Sequence, residues 1–311
     1  MERMAVGVDI GGSHVSCAAC DLSQKKFLPE TRSENGVDNQ DPPSKIISAW
    51  AGAILGTMQR FKGKKISGIG FAMPGPFDYV QGIALFKGNN KKYESLYGLN
   101  VSQALRKEMG LPETVPVRFI NDATAFALGE DWLGKAAGTE RSLSITLGTG
   151  FGSAFLSGHL PVVTGNQVPE MGCVWYLPFK NGSADDYFST RGLLGRYHER
   201  TGKTLPGVKE LAELVQKEPI VRLLFEDFGS NLGAFLQPWI EKAGTEILVI
   251  GGNISHAFDL FGDSLQKYFA GHGVKISIAV SELKETASII GSALLADDPY
   301  YAKLLPALEH M

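Results

Sequence analysis

Residues 5–19 read AVGVDIGGSHVSCAA. Val6, Val8 and Ile10 are apolar at period two, Gly11-Gly12 interrupts, and Val15, Cys17 and Ala19 resume the alternation. That pattern predicts a strand, a tight glycine turn and a second strand, paired as a β-hairpin. Residues 142–156, SLSITLGTGFGSAFL, repeat the arrangement: an apolar strand to Leu147, the turn Gly148-Thr149-Gly150-Phe151-Gly152, and a strand from Ser153. The echo suggests two related halves.

Outward from the first hairpin, 31–43 is polar with two prolines and is expected as an exposed loop. Ser44 is expected to open a helix whose buried stripe is Ile46, Ile47, Trp50, Ile54, Met58 and Phe61. Residues 66–72 form a strand, stopped by Met73-Pro74-Gly75-Pro76. A helix over 101–109 ends at Gly110, a strand covers 115–120, and Asn121 caps a helix running through Ala125, Leu128 and Trp132. Residues 157–190 look irregular, and 192–243 mainly helical. A strand at 246–250 ends in Gly251-Gly252. A helix over 254–270, a strand over 274–279 and a helix over 287–296 follow. Alternating strands and helices predict an α/β fold with partly parallel sheets.

The chain of 311 residues, 44% apolar and 20% charged, suits about two soluble domains of roughly 150 residues each. A net charge of −3 argues against nucleic acid as a main partner, and Lys62, Lys64 and Lys65 read as a solvated helix end. No apolar run is long enough for a bilayer and no secretory leader is visible, so a cytoplasmic protein is expected. Cys17, Cys20 and Cys173 are too few and odd in number for a disulfide framework. Cys17 and Cys20, three apart on a strand, point to opposite faces, which favours buried cysteines over a metal pair.

Three glycine loops each follow an apolar strand: 9–14, 148–152 and 251–253. Glycine lets a backbone approach phosphate closely and offers free N–H donors. None of the loops ends in the Gly-Lys-Ser/Thr of a P-loop, and none is a GxGxxG opening a helix. Asp9, at a strand end, can hold Mg²⁺ or form an Asx turn. Ser13 and His14 can donate to phosphate or simply fill the turn. Asp122, after Asn121, is either a helix-start carboxylate favoured by the dipole or a base for an attacking hydroxyl.

These segments together resemble the ROK family of sugar kinases, within the hexokinase–actin–Hsp70 superfamily. GVDIGGSH (7–14) resembles its first phosphate motif. FAMPGPFD (71–78), followed by Gly82, resembles its Pro-Gly-Pro segment, and Asn89 stands where a sugar-contacting Asn is found. FINDATAFALGE (119–130) resembles the catalytic segment and LGTGFGSAFL (147–156) the second phosphate motif. PEMGCVWY (169–176) and ADDYFS (184–189) resemble two sugar-binding segments, and VIGGNIS (249–255) the adenosine motif.

The resemblance implies two actin-like (ribonuclease H-like) domains, 1–119 with 288–311 and 120–287, with an interdomain cleft that closes around the sugar and ATP. It implies Asp122 as general base and Gly75, Asn89, Asn121, Glu170, Cys173 and Asp185 as substrate contacts. Gly11, Gly12, Ser13, His14, Thr149, Gly150, Gly251, Gly252 and Asn253 would bind ATP, with Asp9 on Mg²⁺. The expected reaction is transfer of the γ-phosphoryl group to a hexose or N-acetylhexosamine, at the 6-hydroxyl. Small molecules are the expected partners, with no membrane or nucleic acid, and a homodimer is allowed.

Two departures bear on the substrate. Residues 171–184, MGCVWYLPFKNGSA, lack the family's cysteine-rich zinc stretch, and Cys173 replaces the His that contacts sugar and zinc. Structural zinc is therefore expected to be absent. Asp185 replaces a Glu. The alternative to an active kinase is a catalytically weak sugar-binding homologue. The family's repressors carry an N-terminal helix-turn-helix, for which the start of the fold at Val6 leaves no room. An actin- or chaperone-like ATPase is a third reading, disfavoured by Asn121-Asp122 together with Glu170.

Overall fold

The computed structural model describes residues 3–87 and 92–311. It divides into two compact units, Met1–Gly134 with Glu285–Met311, and Lys135–Lys284. Each unit is built on a five-stranded mixed sheet.

In the first unit the strands lie in the order Lys26–Gly36, His14–Asp21, Met4–Ile10, Ile66–Met73, Val117–Asn121. The first three pair antiparallel and the last two join in parallel. In the second unit the order is Leu160–Pro161, Phe151–Ser157, Arg141–Leu147, Ile247–Gly251, Ser277–Val280, with the same senses of pairing. The two glycine-turn hairpins thus occupy equivalent places in two similarly wired sheets.

In the first unit a helix is pressed unusually close to its sheet. Gly7 and Gly70 face each other across parallel strands. A Cβ on Gly7 would lie 1.8 Å from the Ile289 carbonyl oxygen, and one on Gly70 1.8 Å from that of Ser292. Only glycine admits the helix Thr286–Ala293 at this depth. That helix packs in turn against Asp122–Leu133: Gly129 approaches the Ala287 backbone and Gly291 that of Ala125. This backbone-to-backbone contact places Asp122–Leu133 in the first unit. The compact units thus exchange chain at 134/135 and 284/285, where the resemblance implies domain bounds at 119/120 and 287/288. In the second unit Leu143, Ile145, Leu248 and Ile250 pack with Phe225, Phe228, Leu232, Phe261 and Leu265.

Several local expectations need correction. The expected loop over 31–43 begins as the end of an edge strand, Lys26–Gly36, in which Thr31 is buried and donates to the Leu28 carbonyl. An edge strand with one solvated face can be almost wholly polar, which hid it. The following helix is Pro43–Gln59, with proline in its first turn, where no N–H is needed. Within 157–190 the helix Ala184–Phe188 starts at a capping box of Ser183 and Asp186. The last helix, Asp298–Leu308, was not anticipated; Asp297 caps it through the Tyr300 N–H. No helix among the described residues is long and apolar enough to cross a membrane.

Candidate active site

In the first unit the hairpin of Met4–Ile10 and His14–Asp21 holds its turn, Gly11-Gly12-Ser13, by a bond from Gly11 N–H to the His14 carbonyl at 3.0 Å. The turn's carbonyls are all taken from outside. Tyr93 Oη donates to Gly11 O at 2.6 Å, Asn39 Nδ2 donates to Gly12 O, and Val37 N–H donates to Ser13 O at 2.9 Å. Among the described residues nothing accepts from the N–H groups of Gly12 and Ser13. A turn with tied carbonyls and free N–H groups suits an anion.

Asp9 stands just before this turn. Its carboxyl is pushed up to about 8, first by burial, then by the nearby Asp122 and Glu285 carboxylates, with Arg32 opposing. Asn121 ends the strand Val117–Asn121 and caps the next helix, its Oδ1 accepting from Thr124 N–H at 3.2 Å. Asp122 Oδ1 accepts from Ala123 N–H at 2.8 Å and from Asn121 Nδ2 at 3.1 Å. Burial raises the Asp122 carboxyl above its ordinary range, and these donors and the Lys92 ammonium oppose the rise. Asp122 thus lies in the first turn of a helix and is a half-buried carboxyl held above its ordinary range.

Asn121 Nδ2 also reaches Tyr79 Oη at 3.4 Å, and a Cβ on Gly75 would stand 3.4 Å from the same oxygen. Gly75, Asn121, Asp122, Asp9 and the glycine turn therefore form one constellation. Asn89 lies outside the described residues. Tyr79, Lys92, Tyr93 and Asn39 were not singled out from the sequence, because no spacing links them to the glycine motif.

In the second unit the turn Gly148–Gly150 closes by a bond from Gly148 N–H to Gly150 O at 3.0 Å, leaving Thr149 and Gly150 exposed. Asp185 supports it. Its Oδ1 accepts from Phe151 N–H at 2.7 Å, and Oδ2 pairs with Arg191 at 2.8 Å. The described contacts thus tie Asp185 to the phosphate-type turn, and none joins it to Glu170. Gly252 has φ 80°, and a Cβ there would lie 2.4 Å from the Leu147 carbonyl oxygen. Glycine is required at that position, and it sets Gly251, Gly252 and Asn253 against the strand end that feeds Gly148.

Glu170 and Cys173 bound a short turn in which Met171 adopts φ 58°. Cys173 Sγ donates to the Met171 carbonyl at 3.4 Å. Tyr176 Oη donates to the Glu170 carbonyl at 3.3 Å, and the phenol is raised by burial and then by Glu170 and Cys173. Tyr176 is thus a neighbour of both that the sequence did not mark. Cys17 and Cys20 are buried on their strand, their thiols pushed up by burial to about 11 and about 12. Among the described residues no group of three or more His, Cys, Asp or Glu side chains is placed to hold a metal ion.

Two sheets of matching order, each with a glycine turn in its first hairpin, define an α/β protein of the actin-like ATPase fold. A family model described as "ROK family" matches residues 5–299, and the chain belongs to that family. It is 27% identical to the glucokinase of Thermotoga maritima over 93% of this chain and 95% of the relative. It shares its fold with a ROK hexokinase from Thermus thermophilus, at a TM-score of 0.76 and 23% identity over 96% of this chain and 99% of the other. It also resembles a ROK family glucokinase from Streptomyces griseus solved with glucose and AMPPNP, at a TM-score of 0.71 and 21% identity over 94% and 98%.

Proposed function

We propose that Asp122 removes the proton of a sugar hydroxyl as that oxygen attacks the γ-phosphorus of ATP. The chain is an ATP-dependent hexose kinase, a reading supported by its family and by relatives named for glucokinase activity. The single observation that carries the base assignment is the state of Asp122: half-buried, raised, fixed by Ala123 N–H and Asn121, and near the Lys92 ammonium that lies along Gly12. A carboxylate raised above its ordinary value is a stronger base than one in water.

The turn Gly11–Ser13 receives phosphate through the Gly12 and Ser13 N–H groups. Thr149 and Gly150 do the same from the second unit's turn, and Gly251–Asn253 take the adenosine. Asn121 and Glu170 bind sugar hydroxyls, with Gly75 leaving room beside Tyr79. Asp185 steadies the Gly148–Phe151 turn and retains lone pairs for a sugar hydroxyl. Asp9, at the strand end just before the Gly11–Ser13 turn, is the one carboxyl assigned to Mg²⁺; burial and the Asp122 and Glu285 carboxylates raise it, and a cation would oppose that rise. When bound, Mg²⁺ supplies neutralising charge for the phosphate oxygens. Everything else the protein contributes is positioning and fixed dipoles.

The substrate proposed is a hexose or N-acetylhexosamine, phosphorylated at the 6-hydroxyl. ADP release with Mg-ATP, measured against glucose, mannose, fructose, N-acetylglucosamine, N-acetylmannosamine and allose, tests it. A rate with one sugar that vanishes in Asp122→Ala supports the reading. Sugar binding without turnover favours the second reading, an inactive sugar-binding homologue. The thiol of Cys173, turned back onto Met171, is the observation on that side.

A further inference from the structure

Lys92 and Tyr93 belong to the first unit. Tyr93 is fully buried, adopts φ 57°, and packs its ring against Trp50 and Phe86 at centroid distances of 5.4 and 5.9 Å. Its hydroxyl donates to the Gly11 carbonyl at 2.6 Å, so it fixes this segment directly to the glycine turn. Lys92, one residue earlier, is exposed but not free to wander. A Cβ on Gly12 would lie 3.2 Å from Lys92 Nζ, 3.4 Å from Cε and 3.8 Å from Cδ, so the whole end of the side chain lies along Gly12. The ammonium is also near enough to Asp122 to favour its ionised form. Among the described residues no ion pair or hydrogen bond holds Nζ.

A lysine ammonium is compact and strongly hydrated, and it gains nothing by lying on a glycine backbone. An anion placed on the free N–H groups of Gly12 and Ser13 would change that, because Lys92 Nζ lies only 3.2 Å from the position a Gly12 Cβ would take, within charge-pairing reach of an anion bound at this turn. Here the turn supplies directional donors and Lys92 supplies full charge, close to the carboxylate assigned to the attacking hydroxyl.

We propose that Lys92 is a phosphate-binding residue that contacts the terminal phosphoryl group of the nucleotide over Gly12. The proposal deepens the kinase reading and rests on it for the identity of the anion. A contact to the terminal phosphoryl separates ATP from AMP, whereas a merely structural lysine does not.

The test is the dissociation constant of Mg-ATP and of AMP, by calorimetry, in the wild-type protein and in Lys92→Met and Lys92→Arg. Loss of one charge-assisted contact is expected to weaken Mg-ATP about tenfold or more in Lys92→Met, leave AMP unchanged, and be partly restored in Lys92→Arg. With an active sugar, kcat should fall in parallel. Equal affinity of wild type and Lys92→Met for Mg-ATP overturns the proposal, as does equal weakening of ATP and AMP. The binding readout needs no turnover. A protein inactive on every sugar, yet losing ATP-over-AMP preference in Lys92→Met, would sink the kinase reading and keep the Lys92 assignment.

Discussion

Asp9 and Asp122 are two carboxyls in one field, and their elevation has separable consequences. Asp122→Asn removes the proton acceptor while keeping the side-chain shape. Turnover is expected to fall about 10²–10⁴-fold with a smaller change in sugar KM, read from steady-state kinetics. Because burial raises Asp122, the acid limb of kcat/KM should lie above the ordinary carboxylate value of 3.8. Asp9 affects stability. Its folded value of about 8 exceeds its unfolded value near 3.8, so between these the native state holds a proton that the unfolded state has released. Stability from this site is full below about pH 4 and is lost as pH rises toward 8. Metal-free Asp9→Asn should therefore lose less melting temperature than wild type between pH 5 and pH 8 (about that range follows from the linkage). Parallel melting curves for the two proteins across this range would contradict the burial of Asp9 as described. Glu285 and Arg32, the other charged groups facing Asp9, remain in both proteins and cancel in the comparison.

At the scale of elements, the closest constraint is the seating of Thr286–Ala293 on the glycine pair of the first sheet. A methyl at Gly70 would sit 1.8 Å from the Ser292 carbonyl oxygen, a backbone atom that cannot swing aside. Gly70→Ala should cost at least about 3 kcal/mol, the upper end for overpacked cores, seen as a lowered denaturation midpoint at unchanged m-value. Gly63, with open space around it but φ 86°, is a contrasting site where strain acts without a clash. The sequence carried the hairpins, the Asn121 cap and the helix Val101–Met109 with its Gly110 terminus, because each has a local cause: alternation, a capping side chain, a left-handed glycine. It hid Lys26–Gly36, whose polar alternation is that of an edge strand, and Asp298–Leu308, whose Pro306 breaks the helical pattern. The glycine turns of the candidate site were legible for the same local reason. Lys92, Tyr93, Asn39 and Tyr176 were not, since their roles come from through-space contacts that no short spacing encodes.

For the whole molecule, the chain enters the unit Lys135–Lys284 once and leaves it once, and each unit has its own buried sheet. Ligands assigned to different units should therefore act on separable calorimetric transitions, which a strictly two-state chain would not show. The segments to which adenosine and phosphate are assigned in the proposal, Gly251–Asn253 and Thr149–Gly150, are joined within one unit by the contact of Gly252 on Leu147. AMP should raise only the transition of that unit. A ligand at about 100 times its Kd adds about 2.7 kcal/mol, and units of this size shift by roughly 2–4 °C per kcal/mol, so the rise should be roughly 5–10 °C. Mg-ATP should move the other transition too, because the remaining groups assigned to it, Asp9, the Gly12 and Ser13 N–H groups and Lys92, belong to the first unit. Lys92→Met should then diminish the Mg-ATP shift of the first unit while leaving the AMP shift of the second intact. One transition that moves equally with both nucleotides would mean that the units unfold together, and the assignment of nucleotide parts to units would then have to rest on the binding constants alone.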